Sequence, residues 1–183
     1  MSYVRTFLPW IVFAVVPSAQ WQWGALAGLL VAVAVIAQQR RTGVGFDALI
    51  METGSAVFFA VLAAVAFADP HSAAHAYSTA LSSATLALIA GVSLLAGKPF
   101  TLGIAKRTTP PEVWNLKPFV RVNVVITTVW TAAFAATAGA LAALAHAGQG
   151  HSATATLVQA AGFVVPMVFT LRYVATAQAR ARV

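Results

Sequence analysis

The sequence predicts an all-α, polytopic transmembrane helix bundle of five to six spans with a basic cytoplasmic central loop. Three observations carry that expectation. Of its residues 60% are hydrophobic and 8% charged, with a mean hydropathy of +0.83; a soluble domain is charged at roughly a quarter of its positions. Apolar runs long enough to cross a hydrocarbon core about 30 Å thick recur along the chain. The eleven Lys and Arg residues gather at the ends of those runs instead of being spread through them. At 183 residues the chain reads as a single integral membrane domain, 1–183.

The first apolar run, residues 7–16, is short and bracketed by Pro9 and Pro17, so it reads as a half-helix or as a short span beginning near Tyr3. It also imitates a signal peptide. Proline at the would-be cleavage site Pro17-Ser18-Ala19 is unfavourable for processing, and the segment is expected to be retained. Gln20-Trp21-Gln22-Trp23 reads as an interfacial anchor, because indole rings favour the headgroup level. Residues 24–37 form the next helix, ending at Gln38-Gln39-Arg40-Arg41. The run 56–68 spans only if its helix begins near Ile50, which carries Glu52 into the membrane mouth; Asp69-Pro70-His71 closes it. Residues 77–96, 120–145 and 153–171 supply three more spans, the second long enough to tilt or project. In the second, Ala132, Ala136 and Ala140 form one small-residue row and Ala135, Gly139 and Ala143 another, expected to bring helices close within the bundle.

Under alternating crossings Arg40, Arg41, the central loop 97–119 and the C-terminal arginines Arg172, Arg180 and Arg182 fall on one side. The other side receives Asp69-Pro70-His71 and the turn from His146 to His151, with no Lys or Arg. The positive-inside rule makes the basic side, and the C-terminus, cytoplasmic. If the first run also crosses, Arg5 joins the other bases there, which favours six crossings over five. A net charge of +7 distributed in this way suits topology and anionic inner-leaflet lipid, not nucleic acid. The absence of cysteine excludes disulfides, thiol chemistry and Cys-ligated metal. No nucleophile elbow, phosphate loop, dinucleotide fingerprint or paired-carboxylate motif is present; Asp47 and Glu52, five apart, point to different helix faces.

The sharpest polar constellation is Glu52 with Arg121 and Asn123, a few residues inside the basic ends of separate spans. Ionisable groups at such depth face a partner or a watery cavity, so the three form either a structural ion pair or a vestibule for a polar head or ion. His71 and His75 stand at i, i+4 spacing near Asp69, a pattern able to share a metal but lacking any accompanying catalytic base. Thr127, Thr128, Thr131 and Thr137 bond to preceding carbonyls or line a path. In the central loop, Phe100, Leu102 and Ile104 alternate among Lys98, Lys106 and Arg107, which suits a segment lying on an anionic leaflet. Thr109-Pro110-Pro111-Glu112 offers a rigid start for a brief helical turn, with Trp114 at headgroup depth and Lys117 behind it. Lys98, Lys106, Arg107, Trp114 and Lys117 are thus the candidate contacts to lipid or to a protein partner.

Phe7-Leu8-Pro9, Gly97-Lys98-Pro99-Phe100, Pro111 with Trp114, and then Asn123, Trp130 and Phe134 occur in an order that resembles the bacterial intracellular septation protein A family and its uncharacterised membrane-protein relatives. The resemblance implies a multi-pass inner-membrane protein linked to envelope upkeep and division, with no enzymatic activity and no cofactor. Beside it stand two other readings: a small-solute or ion transporter working at Glu52, Arg121 and Asn123, and an accessory subunit of a larger membrane complex, contacting it through the alanine rows; the partner class includes a membrane protein or a homo-oligomer.

Overall fold

In lipid every backbone polar group must be satisfied within its own element, which leaves the helix as the local solution for these apolar runs. The computed structural model describes the backbone of residues 2–45 and 48–180 and the side chains of 5–45 and 48–179; Asp47 and Arg182 lie outside the described residues. Helices α1 (Ser2–Val15), α2 (Trp21–Arg41), α3 (Ile50–Ala68) and α4 (Ser78–Leu95) are followed by the short α5 (Phe100–Lys106). A 3₁₀ turn at Pro111–Val113 then leads to the long α6 (Lys117–His146) and α7 (Ala153–Arg180). Five of these, α2, α3, α4, α6 and α7, are long and apolar enough to cross a membrane. At 14 residues α1 measures about 21 Å, at 1.5 Å per residue. It nevertheless follows the height of the bundle: Thr6 meets Glu52 at the basic end, and the Ser18 carbonyl just beyond α1 accepts a hydrogen bond from His75 Nε2 at the other end, 2.8 Å away. A six-helix bundle results, with Pro9 inside its first helix.

Several boundaries differ from the sequence reading. α2 begins at Trp21, and Trp21 is no interfacial anchor: it is buried, and its Nε1 donates to the Pro70 carbonyl at 3.1 Å. Trp23 is the exposed member of the pair, edge-on to Phe67. α7 continues past residue 171 through Arg172 to Arg180, because nothing in that alanine-rich stretch stops a helix. α4 ends where Gly97 takes a positive φ of 68°, letting the Gly97 and Lys98 N–H groups close on the Leu94 and Ser93 carbonyls. Gly148 ends α6 in the same way.

The helices form two three-helix halves. α2 packs on α1 and α3 in the first, and α6 packs on α4 and α7 in the second. Contact within a half relies on small residues at chosen points, such as Gly28, where a Cβ would stand 2.9 Å from the Phe59 ring. The alanine rows of α6 do not serve this purpose. Ala132, Ala135, Ala136, Gly139, Ala140 and Ala143 are exposed on the outer face of α6, while Phe134, Thr137 and Leu141 face inward. Between the halves the filler is aromatic. Phe7 of α1 stacks on Trp130 at 5.0 Å and meets Phe134 and Phe163 edge-on at 6.2 and 5.5 Å. Trp130 is fully buried, and its Nε1 donates to Thr170 Oγ1.

Replacing Gly28 with valine must displace the buried Phe59 ring, and overpacking of this kind costs about 1–3 kcal/mol. Thermal unfolding in detergent should register a clear loss for Gly28→Val, whereas Gly139→Val, with open space around its Cβ, should unfold close to wild type.

Candidate functional site

At the basic end Glu52, in the first turn of α3, is 1% exposed. A lone carboxylate at that burial would cost several kcal/mol unless paired and hydrogen-bonded. Three side chains from three elements converge on its Oε1: Thr6 Oγ1 of α1 at 2.9 Å, Gln39 Nε2 of α2 at 3.2 Å, and Arg107 Nη2 just past α5 at 3.0 Å. The same Arg107 nitrogen also donates to the Ala48 carbonyl at 3.0 Å, ahead of α3. One carboxylate therefore joins the three helices of the first half to the connection between α4 and α6.

Arg107 takes the place expected of Arg121. Arg121 sits on the exposed face of α6, one turn from its start, and does not reach Glu52. Asn123 is buried but is also used locally: its Nδ2 donates to the Phe119 carbonyl at 2.9 Å, and its own carbonyl accepts from Thr101 Oγ1. The three residues do not converge as one group: Glu52 faces Arg107, and Asn123 faces α5. α5 does not lie on the leaflet as the alternation of Phe100, Leu102 and Ile104 suggested. Phe100, Thr101 and Ile104 are buried, and the Phe100 N–H is held by Ser93 Oγ at 3.1 Å. Thr101 Oγ1 pairs with Thr127 Oγ1 at 2.7 Å, and Phe100 reaches Phe7 and Trp130. α5 thus plugs the gap between the halves at the basic end, and its next residue supplies the cation for Glu52. Thr128 and Thr131 bond back to the Val124 and Thr127 carbonyls, as expected of embedded hydroxyls.

The rest of the central loop stays at the surface. Lys98 and Lys117 are exposed, and Lys106 lies over the Trp114 ring at 5.1 Å from its centroid. The expected brief turn is the 3₁₀ segment Pro111–Val113, and Trp114 Nε1 returns to the Thr109 carbonyl.

At the opposite end His71 and His75 lie in turns, not on a helix, so their spacing does not stack them. His75 stands instead between Trp21, stacked at 5.3 Å, and His151 of the α6–α7 turn, 4.8 Å between ring centroids. Because its Nε2 faces the Ser18 carbonyl, that nitrogen carries the proton. Partial burial of the His151 ring, and then the like charge available to His75, hold the His151 pKa below the ordinary histidine value of 6.5, against an opposing hydrogen bond to the His75 backbone. Among the described residues no group of three or more His, Asp or Glu side chains is gathered to hold a metal ion. Sequence reasoning paired these histidines by spacing and missed the contact that the fold makes between two turns.

These features define a multi-pass membrane protein: a six-helix bundle locked at one end by a buried ion pair and carrying a histidine contact at the other. Comparison with family models, curated proteins and solved structures gives no match for the chain.

Removing one partner of the lock leaves an uncompensated buried group. Glu52→Gln and Arg107→Met should each cost about 3–5 kcal/mol in detergent unfolding, while Arg121→Ala should stay within about 0.5 kcal/mol of wild type. The histidine contact sets a pH dependence. With its native pKa depressed, His151 binds a proton more readily in the unfolded chain; its contribution to stability is present above pH 6.5 and is lost as pH falls through 6.5 toward the native value. Melting temperature measured against pH should fall across that window, and His151→Gln should flatten the slope.

Proposed function

We propose that this chain is a non-enzymatic bacterial inner-membrane protein of cell-envelope upkeep or septation, which rests its basic end on the anionic cytoplasmic leaflet. One observation carries the reading. Arg40, Arg41, Lys98, Lys117, Arg121 and Arg172 are all exposed at the end of the bundle where Glu52 and Arg107 meet. The described turns at the other end hold Asp69 and histidines but no Lys or Arg. A bundle with this asymmetry orients by the positive-inside rule with the basic end in the cytoplasm and, with it, the C-terminal end of α7. Each exposed cation near an anionic surface contributes about 1 kcal/mol of attraction.

The order of residues that resembles the septation protein A family supports the envelope assignment, and several of those residues are ones this fold depends on. Phe7, Phe100, Trp130 and Phe134 make the seam between the halves, and Gly97 and Pro99 turn the chain into α5. Trp114 and Lys106 brace the surface part of the loop against the headgroups. In this reading the chain works by placement, holding a rigid basic platform against the leaflet where lipid or a membrane-protein partner meets it.

Replacing Lys98, Lys117 and Arg121 together with glutamine should leave the fold intact and weaken retention of phosphatidylglycerol relative to phosphatidylcholine, read by native mass spectrometry from mild detergent. Cells lacking the chain should show altered septa or envelope permeability, restored by the wild-type chain and only poorly by the triple variant. Unchanged lipid retention in the triple variant, together with normal septa and permeability in its absence, would rule the reading out.

A further inference from the structure

Three connections between helices meet at one point of the histidine end. His75, between α3 and α4, donates from Nε2 to the Ser18 carbonyl between α1 and α2, 2.8 Å away. Its ring lies on Trp21 of α2 and against His151 of the α6–α7 turn, at 5.3 and 4.8 Å between centroids. The α6–α7 turn can come this close because residue 150 is glycine: a Cβ there would stand 2.5 Å from the Ala76 carbonyl.

Beneath this meeting point the seam between the halves opens into a cavity of about 350 Å³. Trp10 and Phe13 of α1, Trp21 of α2, Ser82 of α4 and Gln159 of α7 are among its walls. A second hollow, of about 400 Å³, lies between the α6–α7 turn and Ala76. Gly150 and His151 line both, so this dipeptide is the partition between them. A movement of His151 away from His75 would join the hollow at the end of the bundle to the cavity in the seam.

A contact between two imidazoles is one that protons can undo. With Nε2 already donating to Ser18, a further proton on His75 goes to Nδ1 and charges the ring without breaking that bond. Once His151 is charged as well, a like charge stands where there was a ring contact. No counter-charge is at hand. Ser18 and Trp21 offer none, and Asp69, exposed and with Oδ1 taken by the His71 N–H, is paired with neither ring. His71 and His146 are exposed and Tyr77 is half-buried; neutral or cationic at these pH values, none of them relieves the repulsion. The closed state already reflects this balance: partial burial and the charge of His75 disfavour a proton on His151 more than its hydrogen bond to the His75 backbone favours one.

We propose that the His75–His151 contact is a proton-operated cover: when both rings are charged, the α6–α7 turn lifts from Ala76 and the seam cavity opens at the histidine end. The opening is local. The Phe7–Trp130 stack and the Glu52–Arg107 pair use neither histidine and stay closed. The inference is independent of the leaflet role of the basic end, which uses none of these residues.

Thiol labelling of the full-length chain in detergent tests it, since the chain has no cysteine of its own. Ser82→Cys places a near-isosteric thiol in the cavity wall, where residue 82 is 3% exposed. Asn115→Cys, exposed in the central loop, supplies the reference that cancels the effect of pH on the thiol itself. With a small uncharged maleimide, the ratio of the two rates should rise roughly tenfold from about pH 7.5 to about pH 5, with helicity by circular dichroism unchanged. His75→Gln, which keeps a donor for Ser18, and His151→Gln should each abolish the rise, because one ionisable ring remains. His146→Gln should retain it. If Ser82→Cys does not fold, Ala155→Cys reads the same cavity from α7. The proposal is overturned if the ratio does not change with pH, if it rises as much in His75→Gln and His151→Gln, or if it rises only as helicity is lost.

Discussion

A single carboxylate at the edge of a low-dielectric core constrains this structure more than any other group. Glu52 cannot be buried alone, and the hydrogen bonds and charge it requires come from α1, α2 and the residue that follows α5. Each donor is thereby assigned a depth. Thr6 fixes how far α1 descends, Gln39 keeps α2 helical to its basic end, and Arg107 draws the α4–α6 connection inward. The aromatic seam could be assembled with α5 outside it; the ion pair gives α5 a reason to stay in. Buried pairs of this kind contribute little net stability over an apolar substitute, and their removal one partner at a time is what costs. The inferred role of Glu52 is thus to specify one closed arrangement of the basic end.

That closure makes the two ends of the bundle unlike. Large rings separate the halves along the seam, since Phe7, Trp130, Phe134 and Phe163 occupy the space that glycine and alanine leave narrow inside each half. At the basic end the remaining gap is taken by Phe100, Thr101 and Ile104. At the histidine end no equivalent helix intervenes, and the gap persists as a cavity under the His75–His151 contact. Basic platform, lock, aromatic seam and cavity follow one another along the bundle.

Much of the helical framework is legible in the amino-acid order, because apolar length and the charges that end it are properties of each segment by itself. Ile50 was readable as the start of α3 for that reason, as was the 3₁₀ turn after Pro110. The site was less legible because it depends on depth. Arg107 and Arg121 offer the same guanidinium, and only the inward fold of α5 decides between them; the one local signal was the i, i+4 pair Phe100 and Ile104, apolar on one face of a supposed surface loop. Trp21 and Trp23 show the same ambiguity, since adjacent indoles near a helix start look alike until Pro70 supplies an acceptor for one. Small residues were equally two-faced. The alanine rows of α6 look like a packing seam and face outward, whereas Gly28 looks unremarkable and admits Phe59. His75 and His151 lie in separate turns, so no spacing rule could join them.

A labelling rate measures directly whether the Glu52–Arg107 pair holds α5 in the basic end. The chain contains no cysteine, so a single thiol placed at Ile104, which is 3% exposed in α5, reports that closure directly. Ile104→Cys should resist a water-soluble maleimide in the otherwise native protein and become rapidly labelled when Arg107→Met is added, with the bundle still helical by circular dichroism. Equal labelling rates in the two backgrounds would contradict the account, because α5 would then be held, or free, without regard to the ion pair.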